Sequence, residues 1–209
     1  MTGLMIVGAG GHGKVVAEAA FLMNKWSVIA FWDSGLDLPS AVGLPIFKSE
    51  SDCGYFLGEN YQAIVAIGKA STRLLVMDEL QKQGVEIVSV VHADAWVSPS
   101  VIMAEGCFIS AKAAINAETK LERGCIINTG ATVDHDCDLG QGVHICPGTN
   151  LAGGVRVGDR SWIGIGASVI QGIEIGQQVM VGAGAVVVSN VADGWQVTGC
   201  PAKGAKKNE

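Results

Sequence analysis

Charge is scarce in this chain of 209 residues: Asp, Glu, Lys and Arg make up only 16% of it. Its 14 Lys and Arg stand against 20 Asp and Glu, for a net charge of −6. No basic stripe is available for a phosphate backbone, which argues against nucleic acid as a partner. No apolar run reaches the roughly 18 residues that a membrane helix needs, so no membrane insertion is expected. The six cysteines include no CxxC pair, and the start shows no basic stretch followed by an apolar one. Reduced thiols and a cytoplasmic location are therefore expected. Aromatics (6%) and prolines (5) are also few. What is abundant is apolar character, 49% of residues, and glycine, 29 residues without the every-third spacing of collagen. Low charge with high apolar content points to a packed core and to buried subunit contacts.

A repeat accounts for much of the glycine. From Val91 onward one aliphatic residue recurs every sixth position: Val91, Val97, Met103, Ile109, Ile115, Leu121, Ile127, Val133, Leu139, Ile145, Leu151, Val157, Ile163, Val169, Ile175, Val181 and Val187. Four residues after each there is usually a small or β-branched residue, and three residues after each there is often glycine. Asp94, Asp136 and Asn190 occupy that third position as residues that tolerate a left-handed backbone. Such a unit describes one side of a triangular coil, a short strand and then a bend. Three units make a coil of eighteen residues, and stacked coils build three parallel sheets with strands about 4.8 Å apart. Cys107 and Cys125, one coil apart, are expected to stack inside without forming a disulfide.

Residues 1–90 have another texture. Leu4–Val7 reads as a buried strand, Gly8-Ala9-Gly10-Gly11-His12-Gly13 as a loop, and 14–23 as a helix. Strands over 27–31 and 63–67 and a helix over 71–83 complete one βαβαβ half of a Rossmann-like sheet. Gly8, Gly10 and Gly13 match GxGxxG, and Asp33 lies where an acid reaches a ribose hydroxyl. Glycines there let a pyrophosphate approach a helix N-terminus. Alone, this pattern would suggest NAD. With only one mononucleotide half present, a nucleoside-diphosphate-linked substrate fits better than a dinucleotide.

His12, His92, His135 and His144 are the four histidines. His135 lies between Asp134 and Asp136, and His144 lies half a coil further on, so the two fall on opposed parts of one prism. A site shared between adjacent subunits would bring them together. An imidazole beside a carboxylate suits general-base work. An acidic turn beside a solvated histidine reads equally well from the residues alone. Gly153, one coil above His135, leaves space beside it. The column Asn128, Cys146, Gly164, Gly182 loses side-chain bulk, which is expected to open a ligand groove. Cys137 and Cys146 flank the histidines, but Cys137 falls in the inward column, which weighs against covalent catalysis. A zinc site is not expected, since His92 is more than two coils from the others.

The glycine loop with His12, the Ala66-Ile67-Gly68 strand end with Arg73, the Asn128-Thr129 pair, the His135-Asp136-Cys137 segment and His144 together resemble one family. It is the hexapeptide-repeat sugar acetyltransferases, which include UDP-4-amino-sugar N-acetyltransferases of bacillosamine-type pathways and sialic acid O-acetyltransferases. The resemblance covers essentially the whole chain. It implies an α/β Rossmann-like half domain (1–90) that binds a nucleotide sugar, followed by an all-β left-handed parallel β-helix (91–209) that binds acetyl-CoA in a homotrimer. It implies that His135 takes the amine proton, that Asp136 or Asp134 orients it, and that His144 lies by the thioester carbonyl. Gly8, Gly10, Gly11, His12, Gly13, Asp33, Gly68, Arg73 and Asn128 would serve the UDP-amino sugar. His144, Gly153, Gly164, Ile165 and Lys203 would serve acetyl-CoA, and no metal is implied. Sialic acid O-acetylation, or a solenoid that binds a nucleotide sugar without catalysis, is the alternative.

Overall fold

The computed structural model describes residues 2–58 and 60–207, and the chain divides into two compact units, Met1–Ala93 and Asp94–Glu209. The first begins with β1 (Gly3–Val7), all of it buried, then α1 (Gly11–Met23) and β2 (Val28–Trp32). A small antiparallel hairpin, β3 (Ser40–Ala41) and β4 (Leu44–Phe47), precedes α2 (Glu50–Leu57). β5 (Gln62–Val65), α3 (Ala70–Lys82) and β6 (Glu86–Ile87) follow. The strand order is β3-β4-β2-β1-β5-β6, with β1 parallel to both β2 and β5. Because the chain first moves to one side of β1 and then returns to the other, the carboxyl ends of β1 and β5 form a topological switch point, where ligands of such sheets bind. The expected half-Rossmann arrangement is present, with the hairpin, α2 and β6 added to it. α1 starts at Gly11, three residues earlier than the sequence reading placed it.

The second unit is a three-sided parallel β-helix. From Val97 onward each aliphatic residue of the sixfold series ends a two-residue strand, as in Phe108–Ile109, Ile126–Ile127, His144–Ile145 and Trp162–Ile163. Partners in register lie eighteen residues apart: Ile109 pairs with Ile127, Ile127 with Ile145, and Ile145 with Ile163. Those four isoleucines are fully buried and form one inward column, while the first residue of each strand points to the other side of the strand, where Phe108, Ile126 and His144 are buried and Trp162 is exposed. Cys107 and Cys125 are both fully buried, and among the described residues no cysteine is in a disulfide. Buried hydroxyls inside the coils are satisfied: Thr119 Oγ1 donates to the Asp134 carbonyl at 2.8 Å, and Ser161 Oγ to the Gly176 carbonyl at 2.7 Å.

At the third position after most of the series residues the backbone turns left-handed, with glycine or with other side chains. Gly106, Gly124, Gly130, Gly142 and Gly148 have positive φ there, and so do Lys112, Glu118, Asp136, Arg160 and Gln178. Asp94, Ser100 and Asn190 do not, which for Asp94 and Asn190 is contrary to expectation. Asp94 opens the unit, so no complete coil precedes it. Asn190 uses its side chain at the last bend instead, its Oδ1 accepting the Glu174 N–H at 2.9 Å.

Candidate active site

Two groups of residues meet the chemical expectations, one in each unit. In the first, the Gly8–Gly13 loop leaves the carboxyl end of β1. Gly8 adopts φ +99°, and a Cβ on Gly13 would lie 1.9 Å from the Gly8 carbonyl oxygen, so both glycines are required for the turn itself. Gly10, Gly11 and Gly68 are different, since a Cβ there would meet nothing within 4 Å. They border open space at the switch point. α1 and α3 begin at this end, neither with a side-chain cap nor with an acidic residue in its first turn. Their exposed N–H groups leave a positive potential suited to phosphate.

Asp33 fastens this cradle. Its Oδ2 accepts the Ala9 N–H at 2.9 Å, and its Oδ1 accepts those of Gly35 and Leu36 at 2.9 and 3.0 Å. Partial burial pushes its pKa up, but those three donors and Lys48 outweigh it and bring the carboxyl below its ordinary value. The carboxylate thus holds the loop to the end of β2, beyond the ribose contact that the sequence suggested.

Arg73 departs from the sequence reading. It is fully buried and does not line the cleft; its Nη1 donates to the carbonyls of Ile67 and Gly68 at 2.6 and 2.8 Å. It supports the wall from beneath. Burial, helped by the Arg73 charge, lowers the pKa of His12 to about 4, so His12 is an uncharged imidazole at neutral pH.

In the β-helix, His135 stands at the bend after the strand Thr132–Val133. Its Nδ1 lies 2.7 Å from Asp136 Oδ2, and the left-handed φ of Asp136, 58°, turns that carboxylate toward the ring. Asp134 serves the backbone: its Oδ1 accepts the His135 N–H at 2.9 Å and the Asn116 amide at 2.9 Å. The two acids flanking His135 therefore have separate tasks. The Asp136 hydrogen bond and then the Asp134 charge raise the pKa of His135 above that of an ordinary histidine. A Cβ on Gly153 would fall 2.6 Å from His135 Cε1 and Nε2, so the ring occupies the space that this glycine leaves.

His144 lies elsewhere on the prism, in the strand His144–Ile145 of a different sheet, so one chain does not bring it to His135. It is 6% exposed, its Nε2 is 3.1 Å from Asn128 Nδ2, and its ring packs on Trp162 with centroids 4.1 Å apart. Trp162 escaped the sequence reading, although its place one coil after His144 was a usable signal. Gly164 corrects another expectation. A Cβ there would be 2.5 Å from the Val181 carbonyl oxygen, so the lost bulk serves close approach of the next coil and opens no groove. Ile165 beside it is 60% exposed. Lys203 is exposed and pairs with Thr198 in a terminal antiparallel hairpin.

A family model described as the PglD N-terminal domain matches residues 3–80. The acetyltransferase domain of PglB from Neisseria gonorrhoeae FA1090, solved in complex with acetyl coenzyme A, is 40% identical over 97% of this chain and 98% of its own, with a TM-score of 0.92. The chain belongs to the hexapeptide-repeat sugar acetyltransferases. PerB from Caulobacter crescentus, solved with CoA and GDP-perosamine, is 39% identical to this acetyltransferase over 98% of the chain and 97% of its own, with a TM-score of 0.91. WeeI from Acinetobacter baumannii AYE is 27% identical over 98% of the chain and all of its own, at a TM-score of 0.92. The second unit of the acetyltransferase is accordingly the left-handed parallel β-helix of that family.

The thiols near the histidines of the acetyltransferase are poor nucleophiles. Burial raises the pKa of Cys137 and pushes that of Cys146 up to about 12, so both stay protonated at neutral pH. Among the described residues no helix is long and apolar enough to cross a membrane. No group of three or more His, Cys, Asp or Glu among them is placed to hold a metal.

Proposed function

We propose that this acetyltransferase moves the acetyl group of acetyl-CoA directly to the amine of a UDP-linked 4-amino-4,6-dideoxy sugar, as a cytoplasmic homotrimer. The observation that carries the reading is the His135–Asp136 pair, 2.7 Å apart and seated over Gly153. With its Nδ1–H donated to Asp136, His135 keeps the lone pair of Nε2 for a proton. The neutral amine attacks the thioester carbonyl, forming the N–C bond. His135 Nε2 takes the proton that the nitrogen sheds. The C–S bond then breaks, and the proton passes to the CoA thiolate. An amine is nucleophilic without prior ionisation, so positioning and proton removal supply most of the rate.

The nucleotide is assigned to the Gly8–Gly13 cradle, with Asp33, His12 and Gly68 at its rim and Arg73 beneath it. Acetyl-CoA is assigned to the β-helix, near Gly153, Gly164, Ile165 and Lys203. Because His135 and His144 lie on separate faces of one chain, the site is proposed to combine His135 of one protomer with His144 and Asn128 of the next. The GDP-perosamine bound to PerB favours a second reading, a guanine nucleotide in place of uracil.

The deciding assay offers acetyl-CoA with a UDP-4-amino sugar, a GDP-4-amino sugar, CMP-sialic acid and free sialic acid, and follows thiol release. Release with the UDP-amino sugar supports the proposal. Turnover of the GDP sugar alone corrects the nucleotide, turnover of sialic acids alone overturns the acceptor, and silence with all four overturns catalysis of this kind.

A further inference from the structure

Asn128 and His144 lie on successive coils of one sheet: Ile126 pairs with His144, and the Asn128 N–H reaches the Ile145 carbonyl at 2.9 Å. The direction of the side-chain contact between them can be settled by elimination. Asn128 Oδ1 receives the Thr129 backbone N–H at 2.8 Å and lies 3.4 Å from Thr129 Oγ1, whose other neighbour is Ser110 Oγ at 3.0 Å. A backbone N–H only donates, so the oxygen of the amide must face Thr129. The amide nitrogen is then the atom 3.1 Å from His144 Nε2, and an amide nitrogen only donates. Nε2 must therefore present its lone pair, and the single hydrogen of the neutral ring falls on Nδ1. Trp162, tilted 57° against the ring, keeps the imidazole in this orientation.

We infer that Asn128, oriented by Thr129, is a positioning residue that fixes His144 as the uncharged Nδ1–H tautomer, a hydrogen-bond donor and not a base. The use of that donor in the reaction rests on the proposed acetyl transfer; the tautomer itself does not. The two histidines then have opposite roles. His135 takes a proton on the Nε2 lone pair, while the Nε2 lone pair of His144 is already engaged by the Asn128 amide. A donor held in advance on Nδ1 strengthens toward an oxygen as negative charge grows on it.

The test is a long-range ¹H–¹⁵N spectrum of the full protein labelled with ¹⁵N-histidine, recorded at neutral pH without substrate. Among the four imidazoles, His144 is identified by its absence in His144→Gln. The inference expects its proton on Nδ1 and none on Nε2. Asn128→Asp sets an ionised acceptor against Nε2, and the proton is expected to appear there, with kcat for acetyl transfer falling about 10²-fold. A wild-type His144 protonated on Nε2 overturns the inference, and so does a folded Asn128→Asp protein whose Nε2 stays bare. The wild-type spectrum decides even if the variant does not fold. Because it is read without acetyl-CoA or sugar, a failure of the acceptor assay is distinguishable from a failure of this assignment.

Discussion

At the scale of single residues, the proposed chemistry depends on how His135 is held. Replacing His135 with Ala removes the base without disturbing a core position, and turnover at saturating substrates is expected to fall by about 10²- to 10⁴-fold. Unchanged kcat would remove His135 from the mechanism. Asp136 acts on the same ring through its charge. Its carboxylate stabilises the imidazolium and raises the His135 pKa, while the base works in its unprotonated form. Asp136→Asn should therefore move the acid limb of kcat/KM to lower pH while lowering the plateau; a limb that stays in place or moves up would contradict the pairing. Gly153 provides the third check. A methyl there meets the ring at 2.6 Å and must displace it, so Gly153→Ala should resemble loss of the base more than loss of acetyl-CoA affinity. Steady-state kinetics that raise the acetyl-CoA KM with kcat unchanged would instead assign Gly153 to donor binding alone. The sequence made this triangle readable because Gly153 lies one coil from His135. It left Asp134 and Asp136 undivided, since only side-chain geometry separates an acid that touches the ring from one that touches the backbone.

At the scale of elements, the β-helix was legible because its periodicity is a direct image of its geometry. A residue that must point inward every sixth position, and a left-handed bend three residues later, leave their marks at a fixed phase. The bend belongs to the architecture and not to glycine, as Gln178 at φ 54° and Gly172 at φ 70° show. Left-handed backbone costs an L-residue roughly 1–2 kcal/mol, whereas glycine's extra freedom in the unfolded chain costs about 0.5–1 kcal/mol. A Cβ on Gly172 would meet nothing within 4 Å, so Gly172→Ala tests the backbone alone. It should destabilise by about 1 kcal/mol, and Gln178→Gly should stabilise by a smaller amount. Urea midpoints at unchanged slope measure both, and equal signs would refute the account. In the first unit the sequence was less informative. β3 is only two residues long, and α2 carries Gly54 because a Cβ there would lie 2.9 Å from the Tyr61 ring. A tertiary contact thus imposes a poor helix former on a short helix. Ser49 was the readable signal, since its Oγ accepts the Asp52 N–H at 3.1 Å and caps that helix.

At the scale of the whole molecule, the separation of the two histidines is the strongest argument for assembly. His135 and His144 belong to different parts of one prism, and no coil can fold so as to join them. In the proposed trimer, a closed ring of three copies would place each His135 beside a neighbour's His144 three times over. Light scattering in dilute buffer should therefore give about three times the chain mass of 21.6 kDa. Mixing provides the sharper test. His135→Ala and His144→Ala trimers should each be nearly inactive, because every one of their sites lacks one histidine. If the two proteins are unfolded together and refolded as random mixtures, three quarters of the trimers contain both variants. Each of those has one interface at which an intact His135 meets an intact His144, so activity should recover to about a quarter of the wild-type value. A site contained within single chains allows no recovery at any ratio. The same mixture made from His135→Ala and Asp136→Asn should stay near the level of its components, because both lesions fall on the same side of every interface. Recovery in the first mixture and none in the second would place His135 and Asp136 on one protomer and His144 on the next, and recovery in both or in neither would remove the shared site.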